Sequence, residues 1–319
     1  MAAPGPAELA AAAEAIATAG LAKTPLIPAR TLSQSLGCEV RYKLECRQHT
    51  GSFKARGAVA AVARVPAGDL VVTASAGNHG LGIAFACARL GRGAEIFVPR
   101  ETDPAKVAAL HRYGGAIVVR VVDGGYDDTE MAARGAAEGP RRRFVSSYND
   151  VDVVAGQATV ATEALGQWPE AEAVVVPVGG GGLLSGVALV CAQYGVAAWG
   201  VEPERSPAMS VALREGTITR IVEDASTAAQ GLVGNLDSDS ITFTLVRDHA
   251  AGVLLASEDE ILDAVARVQA DDAIVIEPSA AAGIPRLGDV GASRIISVLT
   301  GGNVSRELHQ QIVARRDRR

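Results

Sequence analysis

Short runs rich in valine and isoleucine alternate with helical stretches along this chain, and that alternation constrains its fold more than any other feature. Leu70–Ala74 precedes a helical stretch over Gly80–Leu90, and Glu95–Val98 precedes one over Pro104–Tyr113. Ile117–Val122 leads into a helix near Asp127–Ala137. The pattern resumes at Ala173–Val178, with a helix over Leu183–Ala192, then at Ala197–Glu202, Gly252–Ala256, Ala273–Glu277 and Ile295–Leu299. Asp103 is a plausible N-cap, Pro104 suits the first helical position, and Gly114 suits a helix stop. Strands buried on both faces lose the apolar/polar alternation and read as continuous β-branched runs. The expected fold class is therefore α/β, an open and mostly parallel sheet with helices on both faces.

A chain of 319 residues corresponds to about two domains. Hydrophobic residues make up 48% but aromatics only 4%. Alanine, valine and glycine thus carry the apolar content, which suits close helix–sheet packing. A net charge of −6 argues against a nucleic-acid surface. The basic cluster Arg315, Arg316, Arg318 and Arg319 reads as a solvated tail. Cys38, Cys46, Cys87 and Cys191 show no C-x-x-C spacing, so reduced thiols and a cytoplasmic location are expected. Ala7–Ala19 holds Glu8 and Glu14 and lacks a basic start, so it reads as an amphipathic helix and not a signal peptide. No apolar run is long enough to span a membrane. Glu138–Arg143 reads as a surface loop. The polar segment Glu223–Asp239 reads as a mobile connection outside the core.

Four places carry chemistry. Gly179-Gly180-Gly181-Gly182 lies between a strand and a helix. There, consecutive backbone N–H groups and the helix N-terminus can hold a phosphate. A dinucleotide is the rival ligand: Gly180, Gly182 and Gly186 fit a loose G-x-G-x-x-x-G, and Glu202 could bind a ribose hydroxyl. Position 185 is serine, however, so the tighter fingerprint fails. Lys54, in Thr50-Gly51-Ser52-Phe53-Lys54-Ala55-Arg56-Gly57, sits among small, hydroxyl and apolar residues. Desolvation there would favour the neutral, nucleophilic amine. Ser75-Ala76-Gly77-Asn78-His79-Gly80 follows a strand, and its backbone donors could hold a carboxylate. Asn78 could cap the helix or donate to a ring oxygen. His79 reads as a packing or supporting residue more than a base. Thr300-Gly301-Gly302-Asn303 and Glu277-Pro278-Ser279 also follow expected strands. Thr300 could cap a turn or face a pyridine nitrogen. Ser75, Gly179, Glu277 and Thr300 all fall at carboxyl ends of strands, where open α/β sheets bind ligands.

These motifs, in this order from about Thr24 to Asn303, resemble the fold-type II pyridoxal-phosphate enzymes. The likeness is strongest to the serine/threonine dehydratases (ammonia-lyases) and their serine racemase relatives. The resemblance implies pyridoxal 5'-phosphate as cofactor and Lys54 as the lysine that holds it covalently. It implies a substrate-carboxylate loop over Ser75, Ala76, Gly77, Asn78 and His79, with Asn78 also at the cofactor's phenolic oxygen. Gly179, Gly180, Gly181, Gly182 and Leu183 match the phosphate cradle. Thr300 matches the position facing the ring nitrogen, and Phe53 and Glu277 complete the cofactor-binding set. A large domain (1–66 and 148–319) with a smaller, mobile inserted α/β domain (67–147) is implied.

Departures within the family narrow the activity. Ala55 stands where synthases carry Asp, and His79 where they tend to carry Thr. Ala76 replaces the second serine that racemases use on the opposite face. Ala208 replaces the acid of relatives that bind a divalent metal, so no metal is expected. The chain stops soon after Asn303, so control through a C-terminal regulatory domain is not expected. The activity implied is α,β-elimination of a β-hydroxy amino acid to a 2-oxo acid and ammonia. Alternatives are a β-replacement synthase or racemase of the same fold, or an NAD-binding α/β protein. A homodimer is expected, with a small-molecule amino-acid substrate and no nucleic-acid or membrane partner. Tyr148 and Gln230–Asn235 are candidate pocket walls.

Overall fold

The computed structural model describes residues 3–114, 116–222 and 226–316, with Arg316 described by its backbone only. Among the described residues, ten strands form: β1 (Leu26–Pro28), β2 (Glu39–Lys43), β3 (Leu70–Ala74), β4 (Gly93–Pro99), β5 (Ala116–Val122), β6 (Arg142–Phe144), β7 (Ala173–Pro177), β8 (Ala197–Pro203), β9 (Gly252–Ala256) and β10 (Arg294–Val298). The chain divides into two compact units. The first comprises residues 1–22 and 54–159, the second 23–53 and 160–319. Residues 67–147, expected from the sequence to form the small domain, fall within the first unit.

The first unit is built on a four-stranded sheet in the order β5-β4-β3-β6, parallel throughout. Its helices pack unusually closely because their contact residues are small. In Lys54–Ala63, eight consecutive residues from Ala55 to Val62 are buried. A methyl group added at Gly156 would come within 2.6 Å of the Arg56 carbonyl oxygen and the Gly57 Cα. One added at Gly82 would lie 3.1 Å from the Lys54 carbonyl oxygen. Overpacking of this kind costs about 1–3 kcal/mol, so an alanine- and glycine-rich composition is what allows these helices to approach.

The second unit is built on a six-stranded sheet in the order β1-β2-β10-β7-β8-β9, parallel except for the antiparallel β1–β2 pair. β7 is buried at all five positions, as a central strand covered on both faces must be. Its core joins Val40 and Tyr42 of β2 to Val175, Ile295, Ile276 and Leu287.

β1 and β2 escape a periodicity reading because β2 is charged. Lys43 is fully buried yet satisfied: its Nζ donates to the Thr24 carbonyl at 2.8 Å, Glu163 Oε1 at 2.5 Å and Gln167 Oε1 at 2.8 Å. A buried charge is tolerable only when paired and hydrogen-bonded in this way.

Three local expectations are corrected. Residues 273–277 form no strand. The helix Glu258–Asp272 ends at Ala273 in the left-handed region (φ 54°). The segment then runs beside the end of β10, whose two edges already pair β2 and β7. Arg142 and Arg143 belong to β6 and not to a loop. Each arginine finds acids, Arg142 on Glu95 at 2.8 Å and Arg143 on Asp150 at 3.1 Å and Asp152 at 2.7 Å. Within 223–239, Ala229 and Leu232 join the core, around a short 3-10 turn at Gln230–Leu232; residues 223–225 lie outside the described residues. Of the basic tail, Arg315 pairs with Asp259 at 3.1 Å, and Arg318, Arg319 and the Arg316 side chain lie outside the described residues.

Candidate active site

In the second unit, β7 and β10 are adjacent and parallel, with Val175 level with Ser297. The two loops that follow them, 179–182 and 299–303, therefore leave the sheet at its same carboxyl edge. Gly181 caps the helix Gly182–Tyr194 with φ +83° and ψ −2°, a conformation glycine adopts without steric cost. A Cβ on Gly181 would lie 2.6 Å from Met209 Cε, and one on Gly179 3.0 Å from Leu232 Cα. Thr242 Oγ1 donates to the Gly180 carbonyl at 2.7 Å and fixes the loop from behind. The first bond into this helix runs from Ser185 N to the Gly181 carbonyl at 2.8 Å. N–H groups ahead of it have no acceptor within the helix. Together with the positive end of the helix dipole they fit a phosphate group, and Leu183 is buried just inside the first turn.

Thr300 is buried directly after β10. Its carbonyl accepts from Phe53 N at 3.0 Å, the Gly51 carbonyl accepts from Gly302 N at 2.9 Å, and Asn303 Nδ2 donates to the Thr50 carbonyl at 2.8 Å. Residues 50–53 are thus strapped to 300–303, and Gly51 (φ +75°) leaves the room that the Asn303 amide needs. Glu277 N donates to the Gly301 carbonyl at 3.1 Å. Glu277 therefore sits beside β10 although no strand precedes it. Ser52 Oγ is buried and, among the described residues, finds no hydrogen-bond partner. A buried hydroxyl without a partner costs about 1–3 kcal/mol, so it too fits a site that takes a polar ligand.

The chain passes from the second unit into the first between Phe53 and Lys54. Lys54 opens its helix, and its Nζ donates to the Ser147 carbonyl at 2.8 Å. The carboxylate-loop candidates follow β3. Ser75 N bonds the Phe97 carbonyl at 3.1 Å, and Gly77 N donates to Ser75 Oγ at 3.2 Å. Gly77 is the N-cap of Asn78–Leu90, so Asn78 is the first helical residue and not its cap. Gly80 is sterically required, because a Cβ there would overlap the Ser75 carbonyl oxygen. His79 is buried, and its Nε2 contacts the Val145 carbonyl at 3.2 Å. Burial first, then the Lys54 charge, push its pKa down to about 3, so the ring is neutral at working pH.

Two of the candidate pocket-wall residues make the following contacts. Asn235 Oδ1 accepts from Ile221 N at 2.7 Å, so its amide pins the chain at 221. Tyr148 N contacts Ser146 Oγ at 3.4 Å. Sequence reasoning missed Ser52, Ser147 and Thr242. Ser52 is visible in the run around Lys54, whereas nothing in the sequence ties Thr242 to Gly180.

Glu202 does not present a carboxylate to a ribose. It is fully buried, and its oxygens accept from Met209 N, Ser210 N and Ser210 Oγ at 2.7–2.8 Å, capping the helix Ala208–Glu215. Among the described residues, no cluster of three or more His, Cys, Asp or Glu could hold a metal. Desolvation pushes the Glu202 pKa up from 4.5 to about 7, against the opposing pull of its hydrogen bonds. A raised carboxyl pKa means that the folded state binds the proton more tightly. The stability it gives is complete below pH about 4.5 and is lost as pH rises through about 7. Over that window the loss is about 3 kcal/mol. Glu202→Gln is expected to flatten this part of the profile, read as the difference in Tm between variant and wild type from pH 4 to 8. An unchanged slope would show that the carboxyl titrates at its ordinary value.

The family model described as pyridoxal-phosphate dependent enzyme matches residues 17–301. The chain belongs to that family. Among curated relatives, it is 34% identical to an L-threonine ammonia-lyase of Thermotoga maritima over 91% of this chain and 74% of that one. It is 33% identical to an L-threo-3-hydroxyaspartate ammonia-lyase of a Pseudomonas species over 91% and 93%. A serine racemase of Schizosaccharomyces pombe is 32% identical over 92% of each chain. Among solved structures, maize serine racemase superposes with a TM-score of 0.88 at 27% identity, covering 99% of this chain and 100% of that one. The processed form of threonine deaminase isoform 2 from Solanum lycopersicum gives 0.87 at 28% identity, over 98% and 94%. The fold is that of the fold-type II members, and the cofactor of the family is pyridoxal phosphate. Within the second unit, the glycine loop and the buried Ser52 hydroxyl fit it.

Proposed function

We propose that this protein is a pyridoxal-phosphate-dependent ammonia-lyase that converts a β-hydroxy amino acid, such as L-serine or L-threonine, to a 2-oxo acid and ammonia. The observation that carries this reading is the Lys54 amine, held on a neutral backbone carbonyl beside a histidine that is itself neutral. Pyridoxal phosphate, when bound, draws electron density from the Cα of an attached amino acid. Lys54 would hold the cofactor covalently, and its amine, when free, would take the Cα proton. The loop Ser75, Ala76 and Gly77 would bind the substrate carboxylate, through the Ala76 N–H and the Ser75 hydroxyl, with His79 supporting the loop and Asn78 available to the ring oxygen. Gly179, Gly180, Gly181, Gly182 and Leu183 hold the phosphate. Phe53 and Glu277 complete the cofactor's surroundings. The Cα–H and Cβ–O bonds break, water leaves, and hydrolysis of the released enamine yields the 2-oxo acid and ammonia.

Thr300 would offer the ring nitrogen an uncharged hydroxyl, where a carboxylate would force that nitrogen to stay protonated. Thr300→Asp is expected to slow ammonia release and raise side reactions such as transamination. Unchanged partitioning between the two products would remove that role. The curated relatives include ammonia-lyases and a serine racemase. Ala76 has no hydroxyl to protonate Cα from the opposite face, which favours elimination over racemisation. Ammonia release across a panel of β-substituted amino acids, with and without an added nucleophile, tests the reading. Product formation only when the nucleophile is present would make the protein a β-replacement synthase.

The same reading includes a mobile small domain over 67–147, a homodimer and a cytoplasmic location. Among the described residues no helix is long and apolar enough to cross a membrane.

A further inference from the structure

Three side chains of the first unit converge on one short segment, residues 145–149, that leaves β6. Val145 N bonds the Val72 carbonyl at 2.9 Å, extending the β3–β6 pairing by one residue. The Val145 carbonyl takes two donors, Thr73 Oγ1 at 2.9 Å and His79 Nε2 at 3.2 Å. Two residues on, the Ser147 carbonyl accepts from Lys54 Nζ at 2.8 Å. Between them, Ser146 is buried, and its hydroxyl accepts from Asn149 N at 3.1 Å, which tightens the turn. A carbonyl can only accept, so the His79 proton is on Nε2. Nδ1 is then a bare acceptor, buried and without a partner. A buried acceptor left so is unfavourable. As a neutral ring, His79 also adds no second positive charge beside Lys54.

We propose that the Ser147 carbonyl oxygen is the resting place of the Lys54 amine whenever that amine is not covalently engaged, and that His79 is the positioning residue that sets it, acting through Val145. This rests on the reading of Lys54 given above. A carbonyl at this distance stabilises the ammonium form. It therefore keeps the Cα proton on Lys54 and returns the amine to one place after each turnover. Thr73, the other donor to the Val145 carbonyl, contributes to the same clamp.

The test is the pH profile of cofactor attachment. Pyridoxal phosphate is added to the full-length protein after removal of bound cofactor, and the attachment rate is followed by absorbance. Attachment needs the neutral amine, so the rate rises with pH to a midpoint set by Lys54. In His79→Leu that midpoint is expected about half a pH unit lower, equivalent to roughly threefold more neutral amine at a given pH. His79→Gln, whose amide N–H can reach the Val145 carbonyl, should restore the wild-type midpoint. Thr73→Val should move it the same way by less. An unmoved midpoint in His79→Leu overturns the proposal, as does a His79→Gln profile that matches the leucine variant. Should His79→Leu not fold, an unmoved midpoint in Thr73→Val is decisive. Borohydride reduction of the wild-type holoenzyme with peptide mapping is scored separately. A label absent from Lys54 would sink the assignment of the lysine, not the role of His79.

Discussion

Lys54→Ala protein is expected to release ammonia from serine or threonine at least about a hundredfold more slowly than wild type, the low end of what a positioned general base contributes. It should also lose the yellow absorbance that borohydride bleaches. Both losses follow from one atom, because in the proposed mechanism the same amine serves as attachment point and as base. Alanine is the best helix former, and Lys54 is the first residue of its helix. The variant should therefore melt close to wild type, which separates loss of chemistry from loss of fold. A folded, colourless variant that still made ammonia at the wild-type rate would eliminate the proposed mechanism.

Gly181→Val is expected to weaken pyridoxal-phosphate binding at least about tenfold, as about 1.4 kcal/mol of lost affinity gives. Two penalties add there. A β-branched residue at φ +83° is strained by about 1–3 kcal/mol. Its Cβ would also lie 2.6 Å from Met209 Cε and 3.1 Å from Thr242 Oγ1, the hydroxyl that holds the Gly180 carbonyl. Relief of either clash moves the loop whose N–H groups are proposed to hold the phosphate. Gly195 is the control. It caps the far end of the same helix at φ +66° with nothing within 4 Å of an added Cβ. Gly195→Ala should lower Tm and leave cofactor affinity alone, measured by absorbance titration. If Gly181→Val bound the cofactor as tightly as Gly195→Ala, the glycine run would not be the phosphate cradle.

Much of the fold was legible because its strands are buried on both faces. β3 and β9 were read with their observed bounds, and β4, β5, β7, β8 and β10 to within two residues at each end. The errors share a cause. Arg142 and Arg143 look like loop residues until Glu95, Asp150 and Asp152 are seen opposite them. Lys43 makes β2 look exposed until Glu163 closes on it. Residues 273–277 look like a strand but have no open strand edge on β10. In each case a partner distant in sequence overrides the local signal. The candidate site divides in the same way. Glycine runs at strand ends and a lysine in a small-residue run are local and readable, whereas Ser147 and Thr242 carry no mark of what they touch.

By itself the sequence determined the parallel α/β architecture and the positions of its ligand-binding loops, because burial and glycine geometry are written in runs of neighbouring residues. The tertiary structure alone decided how the site residues are held: Lys54 on the Ser147 carbonyl, His79 on Val145, Gly180 on Thr242, and Glu202 spent on a helix cap. Those bonds join atoms from 7 to 93 residues apart, and only chain folding brings them within hydrogen-bond distance.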